Sequence, residues 1–97
     1  MHAAVIRVEL KIPGVRSLKE KRRIVKSLIA NLTNTHPLSV AEVDHQDLWQ
    51  RSTIGIAVVA SSSIHLERLV HVVERDLNRR TDIDVLSVSV SHLEPPA

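Results

Sequence analysis

Every second position is apolar over residues 3–12, AAVIRVELKI, and from Arg7 onward the positions between are charged. Ala4, Ile6, Val8, Leu10 and Ile12 fall on one face, and Ala3, Val5, Arg7, Glu9 and Lys11 on the other. A period of two is that of a half-buried β-strand. Pro13-Gly14 supplies turn chemistry, and Ser17 followed by Glu20 is a capping box at a helix start. The pattern then changes period. Leu18, Val25, Leu28, Ile29 and Leu32 lie on one stripe at about 100° per residue, which predicts a helix from about 18 to 33, stopping near Asn34 because Pro37 cannot continue it. Ser39–His45 and Ser52–Ala60 read as two strands joined by a polar hairpin loop. Ser61-Ser62-Ser63 offers N-cap oxygens to a second helix reaching about Arg80, with Leu66, Leu69, Val70, Val73 and Leu77 as its apolar stripe. A last strand covers roughly Ile83–Leu93, with Leu86, Val88 and Val90 inward, Ser87, Ser89 and Ser91 outward, and Pro95-Pro96 ending it.

Two amphipathic helices among four strands in this order predict an α+β, ferredoxin-like βαββαβ domain, a four-stranded antiparallel sheet with both helices on one face. The 97 residues suffice for one such domain with one core, spanning 1–97. The uncovered face of the sheet would show Val5, Arg7, Gly55, Ala57, Val59, Ser87 and Ser89. Small and apolar residues there make self-association a reading to test, with a homo-oligomer as its product.

Composition changes the picture in three places. There is no cysteine, which removes disulfides, thiolate nucleophiles and cysteine-based zinc sites together. Met1-His2-Ala3 leads directly into the first strand and no run approaches a membrane span, so a cytoplasmic protein without membrane contact is expected. The net charge of +2 is unevenly placed: eight bases against two acids give +6 over residues 1–35, whereas three acids and no base give −3 over 36–50. The first third of the chain is therefore the segment suited to an anionic partner.

That charge concentrates in RSLKEKRRIVK, Arg16–Lys26. Lys19, Arg22, Arg23 and Lys26 lie within about a third of the helix circumference and form a basic ridge over the first turns, where the helix dipole disfavours cations. An anion docked on the free N–H groups near Ser17, flanked by Arg16 and Lys19, would reverse that cost. Lys21 instead falls within the apolar stripe and should point toward the sheet, where an ion pair with Asp44 or Asp47 is expected.

The polar hairpin AEVDHQDLWQR, Ala41–Arg51, holds the only aromatic residue of the chain. Asp44, His45 and Asp47 offer two carboxylates and an imidazole, the material of part of a metal site or an acid/base pair. No second histidine stands at ligand spacing, no catalytic motif appears, and neither metal nor cofactor is expected. Trp49 is expected to cover an end of the core or to meet a partner, with Arg51 beside it as a further anchor type. Base stacking across the sheet is disfavoured, because its two middle strands carry no aromatic side chain.

Two segments, IPGVRSLKEKRRIVKSL and SVAEVDHQDLWQRSTIGIAVVA, resemble the YlxP-like family of small bacterial proteins of unassigned biochemical function. The resemblance runs from the first strand through the third and is one of pattern only beyond it. It implies a ferredoxin-like fold and an association with translation, since the family's genes commonly lie beside those for translation initiation and ribosome maturation factors. It carries over no catalytic residue. Together these readings predict a non-enzymatic binding module whose basic helix meets RNA, with ribosomal RNA or a ribosomal subunit as partner. A homo-oligomeric module using the open sheet face and Trp49 is the first alternative, and an enzyme or metal site at Asp44-His45-Asp47 the second.

Overall fold

The computed structural model describes residues 1–93. Strand β1 (His2–Lys11) leads through Pro13-Gly14 into helix α1 (Leu18–Thr35), followed by β2 (Ser39–Asp44), β3 (Arg51–Ala60), helix α2 (Ser63–Arg79) and β4 (Asp84–Leu93). The four strands form one antiparallel sheet in the order β2-β3-β1-β4. β1 therefore lies inside the sheet, with Ile6 opposite Ile56 on one side and Val90 on the other. The alternation of β1 holds throughout: Ala4, Ile6, Val8, Leu10 and Ile12 are buried under the helices with Ile54, Ile56 and Val58 of β3. At about 1.5–3 kcal/mol for each fully buried Ile, Leu or Val side chain, this double row is the main source of stability.

The helices begin where serine can cap them. Ser17 and Ser62 both have extended backbone, and their side chains accept hydrogen bonds from the amides of Glu20 and His65 at 3.1 Å each. α1 runs to Thr35, slightly past the expected end, before the chain becomes extended at His36 ahead of Pro37. Its buried positions are Lys21, Val25, Leu28 and Leu32; in α2 all five stripe residues, Leu66, Leu69, Val70, Val73 and Leu77, are buried.

Two strand irregularities depart from simple alternation. In β4 the pairing with β1 slips between Glu9–Ser87 and Leu10–Val85, leaving Leu86 as an extra residue. Leu86 is thereby half-exposed rather than inward, and Val85 takes the core-facing position with Val88 and Val90. In β2 the slip falls between Glu42 and Asp44. Pro95-Pro96, expected to end the last strand, lies outside the described residues.

Candidate functional site

The turn before α1 is built from Pro13 and Gly14, whose φ of +77° is one that glycine adopts without strain. The cap that follows supplies its own anion. Glu20 reaches back so that its carboxylate accepts the Arg16 amide at 3.0 Å, while Ser17 Oγ accepts the Glu20 amide. Where the sequence suggested an external anion near Ser17, the Glu20 carboxylate already offsets the helix dipole. The basic ridge remains free of such compensation. Lys19, Arg22, Arg23 and Lys26 are all exposed, and among the described residues none has a carboxylate within ion-pair distance. With Glu20 at its edge, they line an open groove along about 10 Å of helix.

Lys21 does point inward and is completely buried. Its Nζ lies 2.6 Å from Glu42 Oε2 and donates to the carbonyls of His45 at 2.8 Å and Gln46 at 3.2 Å, which satisfies all three of its donors. Glu42 also accepts the Ser52 hydroxyl at 2.5 Å. The partner is thus Glu42 rather than Asp44 or Asp47. The reason lies in β2: Val40 and Glu42 alternate onto the helix-covered face, and the slip after Glu42 turns Asp44 away from it. Glu42 was open to discovery from the sequence, since residues two apart in a strand share a face.

Beyond β2 the backbone turns at His45, whose φ of +60° is left-handed and whose amide is held by Asp44 Oδ1 at 2.8 Å. Asp44, His45 and Asp47 do not converge. Asp44 lies 3.9 Å from Arg7, His45 Nε2 lies 3.9 Å from Glu9, and Asp47 is exposed. No three histidine or acidic side chains among the described residues form a metal-holding group.

On the uncovered sheet face sits a polar network that the sequence reading missed. Glu9 accepts from the buried Thr53 hydroxyl at 2.7 Å and from Arg7 Nε at 3.0 Å, with Arg51 at 3.9 Å. The Thr53 hydrogen bond, against the opposing effect of burial and with help from Arg7, holds the Glu9 carboxyl below its ordinary range. Arg51 belongs to this network. Glu9, Thr53 and Arg51 occupy outward positions of neighbouring strands, so alternation was the signal that would have assembled them. A second pair, His36 Nε2 with Asp76 Oδ2 at 2.7 Å, joins the end of α1 to α2.

Trp49 does not close the core; 51% of it is exposed. The loop that carries it is nonetheless fastened to the start of α1. Gln50 accepts the Ile12 amide at 2.9 Å and donates from its side chain to the Val15 carbonyl at 3.2 Å, complementing the Lys21 contacts at His45 and Gln46. The basic helix start and the Trp49 hairpin are therefore neighbours.

Strand order and helix placement define a ferredoxin-like domain. The chain belongs to the family described as "Protein of unknown function (DUF503)", which matches residues 3–90. It is 42% identical over 52 residues to the uncharacterized protein YlxP of Bacillus subtilis (strain 168). That match covers 54% of this chain and 56% of the relative, so it spans little more than half of either. The resemblance noted in the sequence is thereby established. Among solved structures, the crystal structure of At3g17210 from Arabidopsis thaliana has the same fold, with a TM-score of 0.50 at 17% identity over 98% of this chain and 96% of that one. A de novo designed ferredoxin-fold protein, LFR1 1, gives a TM-score of 0.49 at 14% identity over 96% of this chain and 84% of that one. No helix among the described residues is long and apolar enough to cross a membrane.

Proposed function

We propose that this domain is a non-enzymatic RNA-binding module whose α1 ridge grips the phosphate backbone, with ribosomal RNA as its target. The observation that carries the reading is the clustering of four exposed cations on one face of α1, without carboxylate partners among the described residues. Phosphate contacts would supply anionic partners for these four cations. Four phosphate contacts to a single strand give a log–log salt slope of about −3, or roughly a 50-fold loss of affinity between 50 and 200 mM salt. The test is co-sedimentation with ribosomal subunits of its own host at low and moderate salt, beside Arg22→Glu/Arg23→Glu. Binding lost in that variant, with the fold intact by circular dichroism, supports the reading; equal binding by wild type and variant refutes it.

A second reading has its own observation. The uncovered sheet face exposes Val5 by 46%, Val59 by 60% and Leu93 by 64%, and Ala3 pairs with both Val59 and Leu93. Three ten-residue strands and the shorter β2 present on the order of 600 Å², close to one partner's share of a standard interface. Self-association through this face predicts a dimer in sedimentation that Val59→Lys converts to a monomer; a monomeric wild type excludes it.

A further inference from the structure

We infer that Trp49 is a base-stacking platform at the end of the α1 ridge, so that the RNA the domain prefers is single-stranded. The inference rests on the RNA-binding reading and adds the class of RNA to it. Three observations carry it. Trp49, the only aromatic residue in the chain, stands half-exposed beside the half-exposed Leu48 on a hairpin tip rather than in the core. That tip is held by several contacts: Lys21 bonds to the carbonyls of His45 and Gln46, Gln50 bonds to Ile12 and Val15, and the Leu48 amide bonds to the His45 carbonyl at 3.1 Å. An aromatic group on a fixed support loses little freedom on binding.

The third observation is position. Trp49 and Arg16 are the chain neighbours of Gln50 and Val15, which touch at 3.2 Å. The exposed Arg16 in turn precedes Lys19 and the rest of the ridge. The hairpin that carries the half-exposed indole thus meets the chain at the head of a row of cations, Lys19 to Lys26, spread over about 10 Å of helix. Unpaired nucleotides need this combination, a charge track for the backbone and a π-face for a splayed base. In a duplex the bases remain stacked on one another and only the charge track is engaged. The sheet contributes no aromatic surface, so the stacking site lies on the hairpin.

Because this tryptophan is unique, its fluorescence reports the site alone. The full-length protein is titrated with a short single-stranded oligoribonucleotide of mixed sequence, and with the same strand annealed to its complement. Binding is followed both by anisotropy of a dye on the RNA and by Trp49 emission. Quenching of Trp49 by the single strand only, with Trp49→Ala weakening that strand by roughly 5- to 100-fold, Trp49→Phe by less and Trp49→Leu by as much as alanine, is the expected result. The duplex affinity should be the same in all four proteins. Single-strand binding by anisotropy without quenching, or equal losses for Phe and Leu, would overturn the stacking role and leave the ridge reading standing. No RNA binding in either form would overturn both.

Discussion

Replacing Lys21 by methionine tests the contact that joins the two halves of the candidate site. The substitution keeps the length and apolar stem of the side chain, so the core position itself is preserved. What is lost is one ion pair at 2.6 Å and two hydrogen bonds, leaving the Glu42 carboxylate and the carbonyls of His45 and Gln46 without their cation. Breaking a buried pair by removing one partner costs about 3–5 kcal/mol. The Glu42 side chain retains 16% exposure and its Ser52 bond, which places the loss near the lower end, about 3 kcal/mol. A domain of this size holds only about 5–15 kcal/mol in all, and for such domains 1 kcal/mol corresponds to about 4–8 °C, so the midpoint should fall by roughly 12–24 °C. Thermal and urea unfolding at neutral pH, followed by far-ultraviolet circular dichroism, measures it. The double variant Lys21→Met/Glu42→Leu should recover part of the loss, because the uncompensated carboxylate is gone while the two carbonyls still lack a donor. A single variant that loses less than about 1 kcal/mol, with no coupling in the double, would show that water serves these groups as well as Lys21 does.

Three other outcomes are expected. A Cβ added at Gly55 would stand 2.9 Å from Val43 Cγ1, so Gly55→Ala should destabilise by about 1 kcal/mol in the wild type and stabilise in a Val43→Ala background, as read by urea midpoints. His45 holds a φ of +60°, so His45→Val should cost at least about 1 kcal/mol more than His45→Gly; equal costs would show that the loop relaxes freely. The folded carboxyls of Glu9 and Asp76 lie below their ordinary values of 4.5 and 3.8, Glu9 chiefly through Thr53 and Asp76 chiefly through His36. The unfolded chain therefore takes up protons first, and the stability these groups contribute is complete above the ordinary values and lost as pH falls through the lowered ones; Glu9→Gln should flatten that decline in acid titrations of stability.

The sequence carried the elements because most of the chain obeys one local period at a time. In β1 every second residue is apolar, and Ser17 and Ser62 mark the helix starts by chemistry that acts within three residues. What escaped was decided by pairing between strands. Val85 and Leu86 are both apolar, so either can open the inward row that Val88 and Val90 continue, and only the slip against β1 selects Val85 for the core. The same holds for Lys21: its inward angle is a helical property, but its partner depends on which acid of β2 precedes the irregularity there. Of the two places expected for Trp49, the end of the core is not the one it takes. A core closed by isoleucine, leucine and valine, from Ile6 and Ile12 to Ile54 and Leu77, has no need of an aromatic residue, which leaves Trp49 available at the surface.

The strand order has a consequence for how the protein is made. β1 is synthesised first, yet both of its edges are completed by later segments, Arg51–Ala60 on one side and Asp84–Leu93 on the other. Its His2–Ala60 and Ala3–Leu93 pairings each close a loop of more than half the chain. While the chain is emerging, the apolar row from Ala4 to Ile12 and two sets of unpaired backbone groups must wait for partners not yet translated. Neighbouring copies on crowded ribosomes offer the same edges to one another, and the burden of preventing that early pairing falls on Arg7, Glu9 and Lys11, the charged residues interleaved along this strand.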